Sequence, residues 1–390
     1  KQLIHLCQAS SWVTDYIAKY PILLDELIDP TLLHNPPQLS TYGVELRESM
    51  LRIPEEDLEA QMDGLRLFKQ AQQLRIAAAD IAGVLDVMTV SDHLTALAEA
   101  ILNEVINIAW QQVANRFGVP SSTVDNENKG FGVIAYGKTG GKELSYGSDL
   151  DLVFVHHSPE GEETTGLAGG NKVVSSSQFY VKFAQRIMHI FNTRMNSGIL
   201  YELDMRLRPS GNAGMLVIHI NNFGKYQQEE AWTWEHQALV RARVVYGNKP
   251  IIDTFKTIRE QVLNKSRDKA KLKEDVKAMR EKMRNHLDKS DETHFDIKQG
   301  AGGLVDIEFI AQYLVLAHSC EHQNLTERCD NLGIFKLLTK LDILTSAEQN
   351  TLTSNYQQLR HLGHVATLRN ENLLIDKSLI PEKEQVTALW

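Results

Sequence analysis

Apolar residues recur at spacings of three and four over Leu58 to Leu85 and again over His93 to Phe117, in stretches rich in Ala, Gln and Leu. That periodicity predicts two long amphipathic helices, with Asp92 as the expected N-cap of the second. The first 125 residues read as a helical segment that serves as scaffold or docking surface. A polar, turn-rich stretch at 121–130 (SSTVDNENKG) then gives way to the apolar run Phe131 to Tyr136, which predicts a buried strand. A Gly-rich loop, Gly137 to Ser148, leads into DLDLVFVH at 149–156, whose period-two alternation and Val and Phe content predict a second strand. Ser158 to Ser177, rich in Gly, Glu, Thr and Ser, reads as an exposed, mobile loop. The helix expected after it carries Phe179, Phe183, Ile187, Ile190 and Phe191 on one face. GILYELDMRLR at 198–208 alternates cleanly up to Pro209 and predicts a third strand. Asn222 to Tyr246 reads as one long aromatic-rich helix, and 251–390 as helical, interrupted at Gln299 to Gly303.

Single cores rarely grow past about 250 to 300 residues, so a chain of 390 residues is expected to fold in several packed units. The pattern divides it into a helical segment at 1–125, a mixed α+β unit at 126–250 and a helical bundle at 251–390. Composition supports a folded globular chain, with 43% hydrophobic and 23% charged residues. Lys and Arg number 41 against 50 Asp and Glu, a formal net charge of −9, and no basic block stands out. Nucleic-acid binding depends on clustered cations, so no nucleic-acid partner is expected. No run of about 18 apolar residues occurs and the N-terminus lacks a leader pattern, so a soluble, cytoplasmic protein with no membrane partner is expected. Cys7, Cys320 and Cys329 lack the close spacing of a zinc or redox pair and read as buried free thiols. Lys1 stands where an initiating Met would, as expected of a piece of a longer protein.

The chemistry lies in the middle unit. Asp149 and Asp151 are two apart in a strand, so the pleat turns both carboxylates to one face while Leu150, Leu152 and Phe154 point into the core. Two such charges about 4 Å apart at an effective dielectric near 20 repel by roughly 4 kcal/mol. A divalent cation or a proton between them removes that cost. Hard carboxylate oxygens with no His or Cys in the motif suit magnesium, which also binds substrate phosphates. In the third strand Glu202, Asp204, Arg206 and Arg208 alternate with apolar residues, and pairing beside the second strand would bring Asp204 to the aspartate pair. Three carboxylates can hold two metal ions and clamp an in-line displacement at phosphorus. Gly137, Lys138, Thr139, Gly140 and Gly141 form a loop whose backbone can approach phosphate oxygens, with Lys138 adding charge and Ser148 a hydroxyl. The P-loop pattern is absent, because no Gly-Lys-Ser/Thr ends the loop.

Each piece alone has an ordinary reading as a turn, a cap or an ion pair. Their order, strand, Gly-rich loop, Asp-x-Asp strand, helix, strand with a third Asp, resembles the nucleotidyltransferase signature of the DNA polymerase β superfamily. More narrowly, AYGKTGGKELSYGSDLDLVFVHH and LYELDMRLRPSGNAGML resemble the catalytic blocks of glutamine synthetase adenylyltransferases. QRIMHIFNTRMNSGILYE, EEAWTWEHQALVRARVVYG and GGLVDIEFIAQYLVL resemble the same family, so the likeness covers essentially the whole chain from about residue 7. Thr139 departs from the Leu usual there and leaves the glycines intact. That family carries two nucleotidyltransferase domains, an N-terminal one that removes AMP by phosphorolysis and a C-terminal one that adds it, and this chain is more similar to the C-terminal copy.

The resemblance implies a polymerase β-like mixed sheet with helices, flanked by the helical segment and the bundle. It implies AMP transfer from ATP to a tyrosine of glutamine synthetase with release of pyrophosphate, two magnesium ions on Asp149, Asp151 and Asp204, and Asp204 as acceptor of the tyrosine's proton. Gly137, Lys138 and Ser148 would face the triphosphate. Arg206 and Arg208 either neutralise pyrophosphate or pair with Glu202 or Asp204. PII signalling protein and glutamine are the implied regulators. Rival readings are the phosphorolytic domain of the same family, a non-catalytic nucleotide or effector sensor, and an RNA nucleotidyltransferase. Asp306 and Glu308, two apart at a helix start, point in different directions and serve either the helix dipole or a nucleotide or regulatory site. His156 and His157 read as structural, and Trp232 and Trp234 as packing residues.

Overall fold

The computed structural model describes residues 2–27, 37–124, 128–166, 173–380 and 383–390. A small mixed sheet lies at its centre. β1 (Phe131–Ala135) pairs antiparallel with β2 (Leu150–His156) on one side and with β5 (Arg243–Tyr246) on the other. The far edge of β2 is shared by two short parallel strands, β3 (Leu203–Asp204) beside its start and β4 (Val217–His219) beside its end. The α+β class expected from the sequence is the one observed.

Strand alternation divides the core in two. Phe131, Val133, Ala135, Leu150, Leu152 and Phe154 join a cluster with the helices Leu58–Ile81, Val87–Phe117 and Ser176–Asn192. Ile134, Tyr136, Val153 and Val155 face the opposite cluster, built with Lys249–Leu263, Leu304–His318, Asn331–Lys340 and Ser346–Leu368. Asp151 shares its parity with Val153 and Val155, so its carboxylate lies on the face turned toward the C-terminal helices.

Several expectations need correction. The second long helix begins at Val87, where the Asp86 carboxylate accepts from the N–H groups of Met88 at 2.9 Å and Thr89 at 3.0 Å; Asp92 lies inside it. The first ends at Ile81, short of Leu85. The third strand shrinks from eleven expected residues to Leu203–Asp204. Side chains of the 58–81 helix take its early carbonyls, Arg66 Nε donating to Gly198 O at 2.8 Å and Lys69 Nζ to Leu200 O at 2.5 Å. After Asp204 the backbone turns, with Arg208 N donating to Met205 O at 3.3 Å. The long helix expected over 222–246 is in fact Ile220–Glu229, Thr233–Val240 and strand β5. Glu235 breaks it by reaching back from the first turn of the second helix and accepting from Trp232 N at 2.9 Å. In the helical C-terminal part a further antiparallel pair, β6 (His294–Asp296) with β7 (Leu374–Asp376), brackets the Gln299–Gly303 interruption.

Part of the expected 158–177 loop, 167–172, lies outside the described residues, as do 125–127 of the polar stretch. The loop's described ends are anchored, with Thr164 N donating to Val174 O at 2.9 Å. Cys7 and Cys329 are half-buried and Cys320 is exposed, so the thiols are free but none is buried. Trp232 is 71% exposed and Trp234 39%, which removes both from the core expected of them.

Candidate metal centre

The parallel pairing of β3 on β2 sets Asp204 directly opposite Asp151. One carboxylate oxygen from each of Asp149, Asp151 and Asp204 lies within 4.8 Å of the others. The strand order thus brings together the three carboxylates that the sequence places on one polar face, and the donor set, all hard oxygen, fits a divalent cation. Burial, then Asp149, then Asp204, pushes Asp151 up to about 7, against the pull of Lys138 and Lys298. Such a carboxyl binds either a proton or a cation at neutral pH. Asp204 is held below the usual carboxylate range by Arg206, whose Nε lies 2.8 Å from Oδ2 and whose backbone N–H donates to Oδ1 at 2.8 Å. The Arg206 guanidinium therefore forms an ion pair with Asp204. Arg208 folds back on its own turn, donating to Met205 O at 2.8 Å and Asn212 O at 3.2 Å. Both arginines still line an open cavity of about 440 Å³ with Asp149, Glu202, Asp204 and Asn212.

The Gly-rich stretch is tighter than a loop. Gly137–Gly140 forms a helical turn whose later N–H groups are spent internally, Gly140 on Tyr136 O at 2.8 Å and Gly141 on Gly137 O at 3.0 Å. Only the first N–H groups of such a turn lack an intrahelical acceptor. Gly137 has φ +54°, and a Cβ there would sit 2.5 Å from Asp151 Oδ2. The turn therefore abuts the carboxylates through a residue that has to be Gly. Half-buried Lys138 heads it, its ammonium pulled down to about 8 by burial and by Arg360 and Lys298. Ser148 closes the stretch, its hydroxyl accepting from Ser145 N at 3.0 Å.

Asp306 and Glu308 do point apart. Asp306 is buried against Arg280 at 2.5 Å and Arg284 at 2.9 Å, a structural role. Glu308 faces the sheet, 2.7 Å from Arg241 Nη1, and although burial works against it, Arg241, Lys138 and Arg360 hold its carboxyl below the usual range. Lys298, Arg241 and Arg360, which influence this site, were not singled out from the sequence; the Gln299–Gly303 interruption beside Lys298 is the one local signal. His156 is buried and stacked on Tyr180 with ring centroids 5.0 Å apart, its Nδ1 2.8 Å from Ser158 Oγ. A cavity of about 840 Å³ at that opposite end of β2 is lined by His156, His157 and His219, remote from the carboxylates.

Residues 1–258 match the family model described as glutamate-ammonia ligase adenylyltransferase, and 270–385 match that of the GlnD PII-uridylyltransferase. Among curated proteins the chain is similar to the bifunctional glutamine synthetase adenylyltransferase/adenylyl-removing enzyme of Shewanella oneidensis, 53% identical over 391 residues, covering 100% of this chain and 41% of the relative. The protein of the same name from Shewanella loihica is 53% identical over 374 residues, 95% of this chain and 39% of the relative. The chain thus spans about two fifths of the length of the curated relatives it matches.

Proposed function

The chain belongs to the glutamate-ammonia ligase adenylyltransferase family, and from that premise we propose that it transfers AMP from ATP to a tyrosine of glutamine synthetase, releasing pyrophosphate. The observation that carries the reading is the convergence of Asp149, Asp151 and Asp204 beside the Gly137 turn. In it, Asp149, Asp151 and Asp204 would hold magnesium, two ions being the reading for three carboxylates. Bound there, magnesium neutralises phosphate charge and lowers the pKa of the attacking hydroxyl. The chain's own residues do the rest. Lys138 and the leading N–H groups of the turn receive the β and γ phosphates, and Arg206, paired with Asp204 in the free chain, and Arg208 offset charge on the departing pyrophosphate from the wall of the cavity they line. Asp204 takes the tyrosine's proton as the hydroxyl attacks the α-phosphorus in line.

Among the described residues no helix is long and apolar enough to cross a membrane; a cytoplasmic enzyme answering to PII and glutamine completes the reading. The relatives are named for both adenylyl transfer and adenylyl removal, so direction has to be tested. Incubation with unmodified glutamine synthetase, labelled ATP and magnesium is expected to yield AMP-tyrosine by mass spectrometry. Formation of ADP from AMP-modified glutamine synthetase and inorganic phosphate, with no incorporation from ATP, would assign the chain to removal.

A further inference from the structure

We propose that Glu143 and Tyr356 are positioning residues, through which the C-terminal helices hold the Gly137–Gly141 turn in register with the carboxylates. This rests on the adenylyl-transfer reading only in taking that turn as the nucleotide's phosphate seat. Glu143 stands two residues beyond the turn, its side chain fully buried, and its own N–H donates to Lys138 O at 2.8 Å. Its carboxylate collects donors from three remote elements. Arg241 donates at the end of the 233–240 helix, Asn331 through its backbone N–H at 3.0 Å and its amide at 3.1 Å, and the Tyr356 hydroxyl at 2.6 Å. Arg241 also reaches Glu308 at 2.7 Å, so one buried guanidinium bridges the turn and the 304–318 helix.

The packing leaves no slack. A Cβ on Gly140 would lie 1.9 Å from Arg241 O, and one on Gly141 2.6 Å from the Arg241 guanidinium. Arg243 from β5 donates to Gly140 O at 2.9 Å and Thr139 O at 3.0 Å, and Arg360 to Leu144 O at 3.1 Å. Helices 331–340 and 346–368 thus grip a short stretch whose head, Gly137, abuts Asp151. A buried carboxylate satisfied by this many donors is rigid, and rigidity in the shell behind a phosphate seat is what preorganises it. The region holding Asn331, Tyr356 and Arg360 is also the one matched by the second family model, 270–385, so any displacement of these helices is transmitted to the turn.

Tyr356→Phe removes only the hydroxyl bonded to Glu143, and Glu143→Gln removes the charge that Arg241 pairs with. Loss of one hydrogen bond to a charged group is expected to raise the KM for ATP about tenfold in Tyr356→Phe, more in Glu143→Gln, with the KM for glutamine synthetase changed less than about twofold. The dissociation constant of a magnesium complex of a non-hydrolysable ATP analogue, measured by calorimetry, is expected to weaken in the same order. A simple packing role would lower the melting temperature and leave that affinity alone, and wild-type affinity in a folded Tyr356→Phe chain would overturn the proposal even where Glu143→Gln fails to fold. Failure of the wild-type chain to modify glutamine synthetase, with analogue binding intact, would instead strike the transfer reading and leave the calorimetric test standing.

Discussion

Replacing Asp151 by Asn is expected to stabilise the chain in the absence of divalent cations while abolishing transfer. The Asp151 carboxyl titrates at about 7 in the fold against an ordinary 3.8, because it is buried and faces Asp149 and Asp204. A tenfold change in proton affinity is worth about 1.4 kcal/mol, so holding this group ionised at alkaline pH costs the fold at most about 4 kcal/mol, and solvent screening and relaxation reduce that to about 2–3 kcal/mol. The direction follows from linkage. A carboxyl whose folded pKa is raised keeps its proton longer in the folded state, so its stability contribution is intact below the unfolded pKa and is lost as pH rises through the folded one. The wild-type melting temperature, with a chelator present, is therefore expected to fall relative to Asp151→Asn between about pH 4 and about pH 8. At the alkaline end the variant is expected to melt roughly 2–4 °C higher. Magnesium should reverse the order by raising the wild type and not the variant, since a ligand stabilises only the state that binds it. Differential scanning fluorimetry across that pH range, with chelator and with magnesium, reads all of this. Equal melting temperatures at alkaline pH without cation, or an equal magnesium response, would refute the reasoning.

Gly137→Ala places a Cβ 2.5 Å from Asp151 Oδ2 at φ +54°; it is expected to cost about 1–2 kcal/mol and to abolish a magnesium-dependent rise in melting temperature, with a preserved rise counting against a cation held by the carboxylates beside the turn. Lys138, at about 8, loses its charge as pH rises through that value, so kcat/KM for ATP should fall above about pH 8 in the wild type but stay level in Lys138→Arg; parallel profiles would remove Lys138 from phosphate binding. A non-hydrolysable ATP analogue with magnesium at about a hundred times its dissociation constant should add about 2.7 kcal/mol of stability, and an unchanged melting temperature would speak against an ATP site.

How far the site could be read from the chain varies residue by residue. Asp149 and Asp151 are legible as a same-face pair because strand alternation is written within a few adjacent residues, whereas the Gly-rich stretch reads as a loop and folds as a helical turn. Asp204 was legible as a third carboxylate, but its strand was overestimated, since Arg66 and Lys69 claim the carbonyls of Gly198 and Leu200 from more than a hundred residues away. The break at Trp232 is hidden because Trp is a poor N-cap signal, having no side-chain acceptor, and the one capping contact comes from Glu235 three residues on.

The sequence by itself determined the two strands, the shared face of the aspartate pair and the family, because periodicity and motif order act over short stretches of chain. Only the tertiary structure decided that Asp204 meets Asp151, that Arg206 is tied to Asp204, and that Glu143 is gripped from positions as distant as Asn331 and Tyr356. Those outcomes depend on through-space distance and on burial. A charge's partners and its proton affinity are set by whatever the fold brings within a few ångströms in a medium stripped of water, and chain neighbours say nothing of that.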